Sequence, residues 1–283
     1  MKGNPVTLEL IIYSFFCFGA WGYLFSMHTD SAYCTGYLWT MMISFIFFLL
    51  MATIMVPQIS TSIPGFCNIP PAKNSLWTNT CVSCIHATIV GLMVLFTFST
   101  DRVLMYQDFQ HGYNDFAVII LSVNTGYFAY DTLHMSFYKL HKKDPSIMLH
   151  HVVIMTCNTI AVHQKTCIPY IVGMLMSEVN SVFLHLRKLL SMLKLGTSSM
   201  AYQLSWKLLW VTFNWFRVIP CVFIASMAWI NRKEFEKMYI FFLGFSGSLV
   251  INVLNFFLWK NLSGVQRKEI QNERDRLRKD GSH

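Results

Sequence analysis

Ionisable side chains stand in this sequence where apolar ones are expected. His86, Asp131, His134, His150, His151, Glu178, His185 and Arg217 all fall within long hydrophobic runs, with Ser181 and the amides of Asn124, Asn158, Asn180 and Asn214 beside them. At bilayer depth such groups are costly, so they turn inward, find partners and mark sites of function. Spacing groups them further. Asp131 and His134 are i and i+3 on a helix, and Glu178, Ser181 and His185 are i, i+3 and i+7, so each set shares a face. Two carboxylates, several imidazoles and one guanidinium would then share an interior, with Glu178 or Asp131 as the natural partner of Arg217. Two chemistries fit that interior. One is a polar cavity for a lipid headgroup or a reacting acyl chain. The other is polar glue between helices, which gain no hydrophobic drive to associate in lipid. His150 and His151 are adjacent and point about 100° apart on a helix, a poor metal chelate, so no metal and no cofactor is expected.

The elements that must position these residues follow from composition. Of 283 residues 54% are hydrophobic, 16% aromatic and only 13% charged, and the mean hydropathy is +0.44. Soluble domains carry about 25% charged residues, so a soluble enzyme, a nucleic-acid-binding domain and a disordered chain are excluded. The fold class is all-α, a polytopic transmembrane helical bundle. Apolar runs of about 20 residues predict eight spans, at 8–27, 37–56, 79–99, 116–138, 147–163, 168–190, 206–230 and 238–259, with seven or six as the alternatives. The short run 147–163 could be tilted or partly re-entrant. Pro57, Pro64, Pro70 and Pro71 mark the second loop, and Asp144-Pro145 a helix start.

The net charge of +8 reads as basic loops facing the cytosol. With eight spans, Lys139, Lys142, Lys143, Arg187, Lys188, Lys194 and the basic tail after Trp259 all fall on one side, together with Lys2 and Lys73. Both termini are then cytosolic, and the tail 260–283 is expected to be a solvated helix near an anionic leaflet. The pair Cys81 and Cys84 lacks the second pair that a zinc site needs, and packed thiols are the better reading. Cys34 and Cys167 would lie on the other side, where they could pair.

Five stretches in the polar half carry a resemblance: Trp77–His86 (WTNTCVSCIH), Ser122–Asp131 (SVNTGYFAYD), Leu149–Val153 (LHHVV), Ser177–Leu190 (SEVNSVFLHLRKLL) and Phe216–Pro220 (FRVIP). Together they resemble the TLC domain, whose superfamily includes ceramide synthases and translocating-chain-associating membrane proteins. The combination looks most like the small plasma-membrane subfamily that limits membrane fluidity. The resemblance covers residues 73–259, and divides the chain into N-terminal membrane helices (1–72), a TLC domain (73–259) and a basic tail (260–283).

That resemblance implies a multi-pass plasma-membrane protein that regulates phospholipid composition and limits the incorporation of polyunsaturated, fluidising phospholipids, with phospholipids or fatty acids as partners. The alternatives are a ceramide-synthase-like acyltransferase, or a chaperone or cargo receptor of the secretory pathway, and the alternative location is the endoplasmic reticulum. Ceramide synthases use a histidine pair, matched by His150 and His151, and a later H-D-x-x-D-x-x-x-E pattern. That pattern reads Ser177, Glu178, Ser181 and His185 here. One acid is kept and the other positions are lost, which lowers the enzyme reading.

Overall fold

The computed structural model describes residues 32–101, 107–142, 146–195 and 199–280. The expected first span, 8–27, and the side chain of Cys34 lie outside the described residues. Among the described residues helices, joined by short turns and loops, are the only regular elements. Helix α1 (Ala32–Leu50) passes through a π-turn (Met51–Met55) into α2 (Val56–Ser60). Then follow α3 (Asn74–Thr100), α4 (Asp115–Phe137), α5 (Ser146–Gln164), α6 (Ile168–Met174) and α7 (Ser177–Met192). Helix α8 (Met200–Thr212) runs through a second π-turn (Phe213–Val218) into α9 (Ile219–Ile230), and α10 (Met238–Asp280) closes the chain.

Among the described residues, six helical stretches are long and apolar enough to cross a bilayer: Gly36–Ser60, Pro71–Thr100, Asp115–Phe137, Ser146–Gln164, Met200–Ile230 and Met238–Asp275. Each coincides with one of the expected spans. The run at 147–163 is a single unbroken helix. The expected span 168–190 differs, for it is two helices joined by a tight turn. There the backbone ladder contracts from i+4 to i+3, with Met176 N–H on the Gly173 carbonyl (3.3 Å) and Glu178 N–H on that of Leu175 (2.9 Å). Close packing flanks the break. Gly173 of α6 lies hard against Ile224 of α9, while Val179 of α7 meets Gly91 of α3.

The core is centred on α1 and α4. Tyr37, Met41, Phe45 and Phe48 of α1 are buried against Leu121, Tyr127, Phe128 and Tyr130 of α4. Gly126 permits the contact, because a Cβ there would stand 2.8 Å from Ser44 Cβ and 3.0 Å from the Phe45 nitrogen. Polar bonds pin the same pair. Ser44 Oγ donates to the Val123 carbonyl (2.8 Å) and Tyr37 OH to Thr125 Oγ1 (3.1 Å), which also accepts from Asn158 of α5 (3.0 Å).

Helix α10 has 43 residues, about 65 Å at 1.5 Å per residue, against a hydrocarbon core of about 30 Å. The basic tail is therefore no separate element. It continues the last span, and one face of it is packed rather than solvated. Leu262 is buried in a cluster with Tyr202, Trp206, Leu209 and Phe213.

Candidate functional site

A cavity of about 450 Å³ lies between α3, α4, α5, α7, the second π-turn and α10. Each wall is built by helical repetition. Asn79, Ser83 and His86 recur along α3 at i, i+4 and i+7; Tyr127 and Asp131 stand one turn apart on α4; Glu178, Ser181, His185 and Lys188 form a stripe on α7. Helix α5 contributes His150 and His151, the π-turn Arg217, and α10 Asn255 and Leu258. Eight of the nine residues predicted from sequence line this one space. The ninth, His134, does not. It is buried, but its ring lies 5.6 Å from that of Tyr130 and 4.7 Å from that of Tyr138. An i+3 step is about 60° short of a full turn, enough to take it past the cavity edge at Met135. Asn214 faces outward, donating to the Trp210 carbonyl (3.1 Å).

The carboxylates pair with imidazoles. Asp131 Oδ2 is 3.4 Å from His151 Nε2, and Glu178 Oε2 is 3.9 Å from His86 Nδ1. Asp131 also accepts a hydrogen bond from Asn79. The second nitrogen of each ring is held too: His151 Nδ1 meets Thr132 Oγ1 (3.1 Å), and His86 Nε2 meets Asn124 Oδ1 (3.1 Å). The His86 ring stacks on Tyr127 at 3.6 Å, and Tyr127 OH donates to Ser83 (2.9 Å).

Arg217 corrects the expectation of an acidic partner in contact. Its Nε donates to Asn180 Oδ1 (2.8 Å), Nη1 to Asn255 Oδ1 (3.2 Å), and Nη2 to Ser181 Oγ (2.6 Å) and the Ser177 carbonyl (3.3 Å). Glu178 attracts it only at longer range. A π-turn makes this reach possible. Its wider ladder, with Ile219 N–H bonded to the Asn214 carbonyl, re-aims a side chain in mid-helix, as such turns do at functional sites. Four of the five guanidinium N–H groups are thus spent on neutral oxygens, so the positive charge is positioned without being neutralised in contact. Asn255 Nδ2 and His185 Nδ1 are buried on the same walls with no hydrogen-bond partner among the described residues. Many of these bonds tie helix to helix, so polar glue and a polar cavity coexist.

His150 holds a different position. Its ring packs edge-on against Phe128 (5.7 Å), and among the described residues it makes no hydrogen bond. It also lines a second, smaller cavity of about 110 Å³, walled mainly by apolar residues such as Val153, Ile154, Cys157, Ile224 and Ile251, with Asn158, Thr166, Ser177 and Ser248 among them. A polar chamber and a mainly apolar one therefore adjoin at one imidazole. Among the described residues no group of three or more His, Cys, Asp or Glu could hold a metal ion.

Sequence reasoning passed over Asn79, Lys188 and Asn255. Asn79 shares its face with Ser83 and His86, a signal that was there to read. Lys188 sits in a basic run that looks like a loop edge, and Asn255 in an otherwise apolar span.

The family model described as the TLC domain matches residues 76–263. TLC domain-containing protein 2 of Danio rerio is 28% identical over 211 residues, covering 71% of this chain and 82% of that protein. Its namesake in Homo sapiens is 29% identical over 184 residues, covering 64% and 68%. TLC domain-containing protein 1 of Gallus gallus is 25% identical over 155 residues, covering 55% and 61%. No solved structure matches. Every residue that lines the polar cavity, from Leu76 to Asn261, lies inside the matched segment, and this multi-pass membrane protein belongs to the TLC-domain family.

Proposed function

We propose that this protein binds a membrane lipid, a phospholipid or a fatty acid, in the paired chambers, and so limits the incorporation of polyunsaturated phospholipids that fluidise the bilayer. The observation that carries the reading is the junction at His150. An amphiphile has a polar head and an apolar chain, and here a cavity that gathers the carboxylates, imidazoles and guanidinium among apolar residues meets one that is mainly aliphatic and holds no acidic or cationic side chain. Asn255 Nδ2 and the one unspent N–H of Arg217 present donors to an anionic or carbonyl head, while Val153, Ile154 and Ile251 receive the start of the chain. The plasma membrane is the proposed home, with both termini in the cytosol, and the basic residues beyond Trp259 contact the anionic leaflet. Lipidomic comparison of cells with and without the chain tests the reading. Loss of the protein is expected to raise polyunsaturated phospholipids and lower bilayer order, and an unchanged profile with unchanged order overturns it.

One observation favours a second reading, lipid acyl transfer. His150 faces both chambers with no hydrogen bond among the described residues to occupy its nitrogens, and a base so placed could take a proton from an attacking amine. Purified protein given a sphingoid base and acyl-CoA would then form ceramide, and His150→Ala would lower the rate about 100-fold or more. No product at any chain length ends this reading.

A further inference from the structure

The α10 wall of the polar cavity is fastened both within the membrane-spanning part and beyond it. Within the membrane Asn255 accepts from Arg217 (3.2 Å). Beyond it, Glu269 takes two hydrogen bonds and one ion pair from two other helices. Tyr202 OH donates to Oε1 (2.8 Å), Trp206 Nε1 to Oε2 (3.1 Å), and Arg187 Nη1 stands 3.8 Å from Oε1. Arg187 is fixed in turn, its guanidinium 4.6 Å above the Trp206 ring. One turn nearer the membrane, Gln266 accepts from Trp210 Nε1 (2.9 Å).

Between these fastenings Leu258 and Asn261 face the cavity. Arg187, the α7 end of the outer fastening, directly precedes Lys188 and follows His185 by two residues, and both of those line the opposite wall. Glu269 lies ten residues past Trp259, about 15 Å along the helix, so it acts from outside the hydrocarbon. Its neighbours on the tail do otherwise. Asp275 accepts from Gln271 of its own helix (2.9 Å), and Glu273 makes no hydrogen bond or ion pair among the described residues.

We infer that Glu269 is a positioning residue: by clasping Arg187, Tyr202 and Trp206 it holds the α10 wall against α7 and sets how readily the polar cavity opens. What enters rests on the lipid-binding reading above; the clasp itself does not.

The test uses the full chain in nanodiscs of zwitterionic phospholipid and follows hydrogen exchange of peptides covering 254–262. Removing charge-assisted, partly exposed bonds should speed exchange there roughly tenfold in Glu269→Ala, while Glu273→Ala, the same charge change one turn on, leaves it unchanged. Glu269→Gln, which keeps the length and an acceptor, should fall between and guards against loss of fold. Unaltered exchange in both Glu269 variants, an equal rise in Glu273→Ala, or acceleration spread evenly over α3 and α4 overturns the inference. A second arm crosslinks a photoactivatable palmitate to the same proteins, and faster labelling in Glu269→Ala is expected. Faster exchange with no labelling in any protein upholds the clasp and counts against lipid as the occupant.

Discussion

Gly126→Val is expected to leave little folded protein in the membrane. The added carbons would enter a space already filled by the Met41 carbonyl, by Ser44 Cβ at 2.8 Å from the Cβ position and by the Phe45 nitrogen at 3.0 Å. Two of these three are main-chain atoms, which have no rotamer to change. Overpacking of a core commonly costs about 1–3 kcal/mol, and a rigid obstacle puts this site at or above the upper end. The damage would spread, because α4 carries Tyr127 and Asp131 to the cavity and is pinned to α1 by the Ser44 and Tyr37 bonds. Size-exclusion chromatography and thermal midpoints in detergent check the result. Gly244→Val is the comparison, since nothing lies within 4 Å of a Cβ there. A Gly126→Val protein that is monodisperse with an unchanged midpoint would refute the account of this helix pair.

Arg217→Met is the second large effect. Methionine keeps much of the aliphatic stem and removes all four donated bonds, leaving Asn180 Oδ1, Asn255 Oδ1 and Ser181 Oγ to be satisfied some other way. A buried polar group deprived of its partner costs about 1–3 kcal/mol. Asn180 keeps its own bonds to the Leu209 carbonyl and Thr212 (both 3.0 Å), so α7 and α8 should stay joined and the fold survive, weakened. Lipid binding should fare worse. Photolabelling by a diazirine fatty acid is expected to drop at least about tenfold, the equivalent of 1.4 kcal/mol. Arg217→Lys restores the charge but not the planar fork that reaches Asn180, Ser181 and Asn255 together, so stability should recover in part and labelling little. Labelling of Arg217→Met at wild-type strength would place the head elsewhere.

The sequence is most informative where cost and period act together. Glu178, Ser181 and His185 are expensive in lipid and repeat at helical spacing, so their shared face could be read without coordinates, and they line one wall. Spacing alone was too coarse for His134, because three residues leave 60° of rotation undecided. Asn79 and Asn255 were hidden by a different cause: a single amide in an apolar span costs too little to stand out. The contraction at Leu175–Met176 and the partners of Arg217 depend on contacts between distant segments, Gly173 with Ile224 and Arg217 with Asn180 and Asn255, which no local pattern encodes. Span positions, set by hydropathy, were legible in the described residues except at 168–190, which is two helices.

The π-turn at Phe213–Val218 constrains this segment in a way that substitution data would miss. An extra residue is accommodated there, and each residue of an α-helix accounts for about 100° of rotation. The bulge absorbs that rotation, so deleting one of the six would let the ladder close up as ordinary helix with α8 and α9 still in phase, while Arg217 would lose the re-aimed direction that carries it to Asn180. Amino-acid identity at the outward positions Asn214 and Trp215 is free to drift, whereas chain length between Thr212 and Ile219 is not, and gaps in this stretch should be rarer than its sequence variety suggests.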